Sequence, residues 1–65
     1  MTLLLSDHAK KRMFERGITL DEVKEVVRQG RKWKEDAVIH ASMRGIEVVY
    51  KNIGSGTFII TVHYK

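Results

Sequence analysis

Residues 6–19, with the sequence SDHAKKRMFERGIT, contain the start and the end of one helix and the start of the next. Ser6 is a favourable N-cap, because its hydroxyl can accept a hydrogen bond from a free backbone N–H of the first turn. Gly17 can adopt the left-handed conformation that ends many helices. These signals predict a first helix from about Asp7 to Arg16, with Ala9 and Met13 on its buried face.

A second helix begins directly after the first. Thr19 and Glu22 have the T-x-x-E spacing of a capping box, in which each side chain satisfies a free backbone N–H. Apolar residues then recur at helical spacing as far as Gly30, which can end the helix. These apolar residues are Leu20, Val23, Val26 and Val27. The sequence therefore predicts two short helices joined by a tight turn.

After Gly30 the apolar residues alternate with period two, which is typical of strands. The alternation predicts one strand within residues 33–44, a second within 46–51 and a third within 57–64, joined by turns at Gly45 and within 52–56. Consecutive strands with short turns form an antiparallel meander. The Thr2–Leu5 segment suits a short strand or an apolar arm. We therefore expect an α+β fold, (β)ααβββ, with two N-terminal helices packed on a three- to four-stranded antiparallel sheet.

Two helices can cover only one face of this sheet, so the other face should stay open. In this alternation Trp33 lies on the same side as Ile39, Ala41 and Met43. We expect the helices to cover the more apolar set: Ile39, Ile46, Val48, Ile60 and Val62. The open face should then carry His40, Ser42, Glu47, Lys51, Thr61 and His63, together with Val38, Val49 and Ile59. A mixture of apolar and basic residues indicates a docking surface, either for a substrate or for a homodimer partner.

Length and charge limit the functions that the chain can perform. A chain of 65 residues forms a single domain, residues 1–65, with a small core. Cysteine is absent, so disulfides are excluded, and a partner subunit is the remaining means of stabilising so small a core. Twelve Lys and Arg against eight Asp and Glu favour polyanionic partners such as RNA. No segment is typical of a secretion signal or a membrane span, so we expect a cytoplasmic protein.

Two groups of residues could cleave RNA. His8, Arg12 and Arg16 form one i, i+4 row on the first helix, where a titratable imidazole would lie beside two phosphate-binding guanidinium groups. On the open face, His40 and His63 could act as general acid and base, with Lys51 stabilising the charge that develops on phosphorus. Such a group cleaves RNA without a metal, using the ribose 2′-hydroxyl as nucleophile. Alternatively, these are ordinary surface residues.

Other chemistries receive less support from the sequence. The three histidines lie on different predicted elements without metal-ligand spacing, so we predict no metal and no cofactor. The two helices also resemble a helix-turn-helix, which leaves DNA binding as an alternative. Met13 stands where that motif usually has a small residue, and Asp21 and Glu22 would face DNA phosphates.

The pattern S-D-H-A-x-x-R-M-x-x-R-G-I-T, followed by D-E-V-x-x-V-x-x-G, resembles the N-terminal half of the domain of unknown function 4258 family. The ending I-I-T-V-H-Y is similar to the last strand of that family. The resemblance implies the fold of RelE- and ParE-like toxins, and it implies a metal-independent RNase or a toxin-like role. It makes His8, Arg16, Thr61 and His63 signature positions, with Arg12 a weaker match.

Together these observations lead to one functional hypothesis. The protein is expected to be a small RNA-directed protein of toxin–antitoxin type and a candidate endoribonuclease, with RNA, an antitoxin or a second copy as partner. His8, His63 and Arg16 are the predicted catalytic residues. The predicted substrate-binding residues are Arg12, Lys51, Thr61 and His40. The alternatives are a non-enzymatic module for protein interaction or homodimerisation, and a DNA-binding protein.

Overall fold

The computed structural model of the protein describes residues 2–64. Two helices follow a first strand and precede four more strands. In chain order the elements are β1 Thr2–Leu5, α1 Asp7–Arg16, α2 Leu20–Gln29, β2 Arg31–Glu35, β3 Val38–Met43, β4 Ile46–Ile53 and β5 Gly56–Tyr64. Among residues 2–64, no helix is long and apolar enough to cross a membrane.

The helix boundaries agree with the capping residues of the sequence. The Ser6 hydroxyl accepts a 3.0 Å hydrogen bond from the Ala9 N–H, and Gly17 ends α1 with a φ of 68°. At the start of α2, Glu22 accepts a 2.8 Å bond from the Thr19 N–H, and the Thr19 hydroxyl accepts one from the Glu22 N–H. Both predicted helices and their connection are confirmed.

The sheet is larger than predicted and is of mixed type. It has five strands in the order β1-β5-β4-β3-β2, and β1 runs parallel to β5 while the other pairs are antiparallel. The prediction of a three- to four-stranded antiparallel sheet is therefore wrong in strand number and in the direction of β1. The segment Thr2–Leu5 is a true edge strand, and the Ser6 N–H extends its pairing by donating a 3.0 Å bond to the Ile59 carbonyl.

The region predicted as one strand within residues 33–44 is a hairpin of β2 and β3. Its two turn residues, Asp36 and Ala37, have φ values of 52° and 66°, which match the two-residue turns that suit the twist of a hairpin. Because the chain reverses there, the alternation of β2 restarts, and Trp33 lies opposite His40. Trp33 is therefore on the open face, and its predicted grouping with Ile39 is wrong.

A β-bulge in β5 corrects a second assignment of faces. Val49 pairs with Thr61 while its neighbour Tyr50 pairs with Ile59, so Ile60 is an extra residue without a partner across the strands. Ile59 is completely buried and Ile60 is half-buried. The prediction that Ile60 joins the core and Ile59 the open face is therefore wrong.

The core lies between the two helices and one face of the sheet. Ala9 and Met13 of α1 are buried there, with three valines of α2. The sheet contributes Ala41, Ile46, Val48, Tyr50, Ile59 and Val62, and Leu3, Leu5, Ile39 and Met43 pack at its margin. The residues that alternate with this set form the opposite face, which neither described helix covers.

Candidate active site on the open face

A carboxylate lies between two imidazoles on the open face. The Glu47 Oε2 atom is 3.1 Å from His40 Nδ1 and 3.6 Å from His63 Nε2. Both nitrogens approach the same oxygen atom, so the distance between them is at most the sum of these two distances. The structure therefore brings together His40 and His63, which the sequence suggested as an acid/base pair.

The pairing of three strands produces this cluster. Glu47 of β4 lies directly opposite His63 of β5, and His40 of β3 lies opposite Val49, two residues along β4 on the same face. Side chains that are opposite or diagonal across antiparallel strands are within contact distance. The bulge at Ile60 matters here, since it allows Ile59 and His63 of one strand to face opposite sides.

Trp33 and Glu35 of the edge strand β2 complete the surroundings of His40. The Trp33 and His40 rings stack with their centroids 5.3 Å apart and an angle of 10° between their planes. Glu35 Oε1 lies 3.6 Å from His40 Nε2. The His40 side chain is only 15% exposed, whereas that of His63 is 40% exposed. His40 is thus held on several sides, and His63 is the imidazole more accessible to a large substrate.

Two of the predicted substrate-binding residues extend this face away from the cluster. Thr61 lies opposite Val49 and is half-buried. Lys51 lies opposite Phe58, and its ammonium group is 5.9 Å from the centre of the Phe58 ring. Lys51 lies four positions after Glu47 along β4, which corresponds to about 13 Å. Lys51 can therefore contact a different phosphate from one held between the two imidazoles.

The predicted row on α1 lies on the other side of the sheet. Ala9 and Met13 pack in the core on the helix-covered face, so α1 lies opposite the face that carries His63. His8 and Arg16 are exposed there, and Arg12 is half-buried. The structure therefore does not bring His8 together with His63.

The surroundings of α2 are those of a packing helix. Its valines are buried in the core, and its first turn exposes Asp21 and Glu22. Within residues 2–64 no three His, Asp or Glu side chains are arranged to hold a metal ion.

Sequence reasoning missed Trp33 and Glu47 as members of the site. Glu47 was expected on the open face, but its position between two histidines depends on the register of three strands. Trp33 could have been placed by recognising the Asp36-Ala37 turn. That turn lacks the Asn-Gly or Asp-Gly dipeptide that marks such hairpins most clearly.

Comparison with known proteins identifies the family of the chain. Residues 5–64 match the family model described as Domain of unknown function (DUF4258). The chain belongs to this family. The resemblance deduced from the helical signature and the last strand is therefore confirmed. A search among curated proteins finds no match to this DUF4258 protein.

The DUF4258 protein has the same fold as a chain of a solved complex. The match is to a chain in the crystal structure of the toxin–antitoxin complex RelBE2 from Mycobacterium tuberculosis. It has a TM-score of 0.70 and covers 98% of this chain and 96% of that chain, at 14% sequence identity. A likeness at this identity concerns the fold, which agrees with the RelE-like architecture expected from the sequence.

Proposed function

We propose that this protein is a toxin-like protein of toxin–antitoxin type that binds RNA on the open face of its sheet and cleaves it without a metal ion. The observation that supports this proposal best is the contact of His40 and His63 with one oxygen of Glu47. Two imidazoles in one partly exposed site can serve as general base and general acid at neutral pH. A basic chain also favours a polyanionic substrate.

The reaction follows from the functional groups present. A neutral imidazole removes the proton of a ribose 2′-hydroxyl, and the 2′-oxygen attacks the adjacent phosphorus. The bond between phosphorus and the 5′-oxygen breaks, and the second imidazole, in its protonated form, gives its proton to that oxygen. The products are a 2′,3′-cyclic phosphate and a 5′-hydroxyl. The Glu47 carboxylate orients both rings and balances the charge of one imidazolium.

The surrounding residues are suited to hold RNA across this site. Aromatic surfaces stack on bases without regard to sequence, and Trp33 and Phe58 lie at two places on the open face. Lys51 would hold a phosphate remote from the one that reacts. Thr61 lies between His63 and the bulge. Its hydroxyl would donate a hydrogen bond to a phosphate oxygen or accept one from a ribose hydroxyl.

The fold supports the toxin–antitoxin part of the proposal. A chain of similar fold and nearly equal extent was crystallised in a toxin–antitoxin complex. By analogy, an antitoxin is the protein partner that we propose for this chain. In this proposal the α1 row of His8, Arg12 and Arg16 takes no part in the acid/base step, because it lies on the opposite face of the sheet.

The test is cleavage of a 5′-labelled RNA oligonucleotide in the presence of a chelator. Loss of a general acid or base typically lowers a rate by about 10²–10⁴, so His40→Ala and His63→Ala should each cause a loss of this size. Glu47→Gln keeps the shape of the side chain but removes its charge, and it should lower the rate while the fold is retained. The products should carry a 2′,3′-cyclic phosphate, and a 2′-deoxy substitution at the cleaved position should prevent cleavage.

Two further variants make the test specific. His8→Ala distinguishes the two histidine pairs, since it should change the rate less than tenfold if the pair is His40 and His63. Lys24→Ala, an exposed cation on α2, controls for a general loss of charge. If His40→Ala and His63→Ala both cleave as fast as the wild-type protein, these two histidines are not the acid and base, and the catalytic proposal is wrong.

The apolar residues on the open face favour a second candidate function, a non-enzymatic module that binds a protein there. Val38, Val49 and Phe58 are half-buried on this face, on three different strands. If this is the function and copies of this chain bind each other through the open face, replacing Val49 by Asp should abolish that self-association, measured by sedimentation. The His40 and His63 variants should self-associate like the wild-type protein. A Val49→Asp variant that associates like the wild-type protein would refute this alternative.

A further inference from the structure

Phe14 of α1 is exposed to an unusual degree for an aromatic residue. It is 90% exposed, although its helix neighbours Ala9 and Met13 are buried. Lys10 and Lys11 lie one turn earlier, at the i−4 and i−3 positions, where they are neighbours of Phe14 on the helix surface, and both are exposed. Phe14 thus forms an apolar projection with two cations at its base. A projecting aromatic side chain with charged neighbours is typical of an anchor residue at a protein interface.

A cavity of matching character lies elsewhere on the same chain. It has a volume of about 150 Å³ and lies between α2, the β3–β4 turn and the end of β5. Its lining is Val26, Met43, Ile46 and Tyr64, with Glu22, Glu25 and Arg44. Arg44 Nη1 is 2.8 Å from Glu25 Oε1, so one carboxylate is paired while a second carboxylate, that of Glu22, adds negative charge. The cavity is therefore apolar inside and carries more negative than positive groups.

We propose that these two features bind each other between copies of this chain: Phe14 of one molecule inserts into the α2/β3–β4 cavity of the next. The cavity is large enough for a phenyl ring, because an apolar protein cavity of about 150 Å³ can hold benzene. Lys10 and Lys11 would then approach Glu22 and Glu25 of the second molecule. Apolar shape and opposite charge thus favour the same orientation.

Charge argues against other ways of covering Phe14 with a second copy. A two-fold contact of Phe14 with Phe14 would place four lysines together, and like charges opposed at an interface are unfavourable. The projection and the cavity are different surfaces, so the proposed contact is of the heterologous kind. It lies on the helix side of the sheet and leaves the open face accessible. The proposal therefore does not rest on the RNA-directed function.

The first measurement is sedimentation velocity over a range of protein concentrations up to about 1 mM, where complexes with a Kd of about 1 mM are populated. The wild-type protein should show an average mass that increases with concentration. Phe14→Ala should weaken association at least roughly tenfold, as expected for an anchor residue. Leu4→Ala is a matched control, because Leu4 is another exposed apolar residue, 48% exposed, on β1. This control should associate like the wild-type protein.

A mixing experiment tests the pairing of the two surfaces. Met43→Trp fills the cavity but keeps Phe14, whereas Phe14→Ala keeps the cavity. Each variant alone should be monomeric, and a mixture should form a dimer, since only one productive contact is available. Glu25→Lys is a second variant of the cavity that leaves the core unchanged. It should weaken association by itself, and because it keeps Phe14 it should still form a dimer when mixed with Phe14→Ala, whose cavity is intact.

Three results would overturn the proposal. The first is a wild-type protein that stays monomeric at all concentrations, and the second is undiminished association of Phe14→Ala. The third concerns nucleic acid: a Phe14→Ala variant with unchanged sedimenting mass and weaker binding of a fluorescent dodecauridylate would show that Phe14 stacks on bases instead. Cleavage activity does not enter these measurements, so failure of the nuclease proposal is distinguished from failure of this one.

Discussion

The bulge in β5 can be tested by comparing the same substitution at two adjacent residues. Ile59 is completely buried and pairs with Tyr50, whereas Ile60 is the unpaired residue and is half-buried. Ile59→Ala removes three methyl or methylene groups from the core. At about 0.8 kcal/mol each, the transfer free energy is about 2.4 kcal/mol, and the cavity left behind raises the loss to about 4 kcal/mol. Ile60→Ala leaves no closed cavity, so we expect a loss of about 1–2 kcal/mol.

The assay is urea unfolding followed by the fluorescence of Trp33, the only tryptophan of the chain. A domain of this size has roughly 3–5 kcal/mol of stability, so Ile59→Ala should be largely unfolded in buffer while Ile60→Ala remains folded. Ile59→Val and Ile60→Val repeat the comparison with smaller losses, about 0.5–1.5 kcal/mol at the buried position. If the Ile60 variants are as unstable as the Ile59 variants, or more so, the assignment of the bulge is wrong.

Two further predictions concern stability. A Cβ atom at Gly30 would lie 2.5 Å from the Val26 carbonyl oxygen and 2.9 Å from the Ser42 carbonyl oxygen, so Gly30→Ala should lower the free energy of unfolding by about 3 kcal/mol or more. Gly54→Ala only strains a turn with a φ of 50° and should lower it by roughly 1–2 kcal/mol. Equal urea midpoints for the two variants would contradict this prediction. Burial raises the pKa of Tyr50 above its ordinary value of 10.0. The unfolded phenol therefore ionises first, and the stability that depends on neutral Tyr50 is complete below about pH 10 and lost as the pH rises through the folded-state pKa. Thermal unfolding from about pH 8 to pH 11 should show a smaller alkaline decrease in Tm for Tyr50→Phe, and an unchanged decrease would contradict the assignment.

The helices were predictable because their signals are local. Ser6, Gly17, Thr19 and Glu22 satisfy backbone groups within one turn of themselves, so their effect does not depend on the rest of the fold. The same holds for the apolar spacing that selects the buried face of each helix. Sequence patterns of this kind identify the first and last residue of both helices.

The strands were less predictable because alternation indicates a face only while the chain continues without interruption. A reversal at Asp36-Ala37 and one extra residue at Ile60 each change the face of everything that follows. Neither the turn nor the bulge has a strong sequence signal. The dipeptide Asp36-Ala37 is unusual for its turn conformation, and because Ile59 and Ile60 are both apolar, the sequence does not indicate which of them faces the core. The parallel pairing of β1 depends on contacts more than fifty residues apart in sequence, which no local pattern reports.

The candidate site was predictable in its residue types but not in its arrangement. His40 and His63 are the two histidines of the strands, and their spacing along the chain allows many separations in space. The register of β3, β4 and β5 determines that they meet at Glu47. The same limit applies to His8. The sequence assigns it to a helix, but it does not show that this helix lies on the opposite side of the sheet from His63.

The position of β5 explains how so short a chain can have both a core and an open site. This strand lies next to β4 and β1, and α1 packs on it, so its inward residues Ile59 and Val62 are completely buried. In an unbroken strand, two residues separated by three positions face opposite sides, and one of these two would leave the core. The bulge removes this conflict. It keeps both residues in the core, and it places Thr61 and His63 on the opposite side. A single irregularity in one strand thereby separates the face that stabilises the fold from the face that carries the candidate active site.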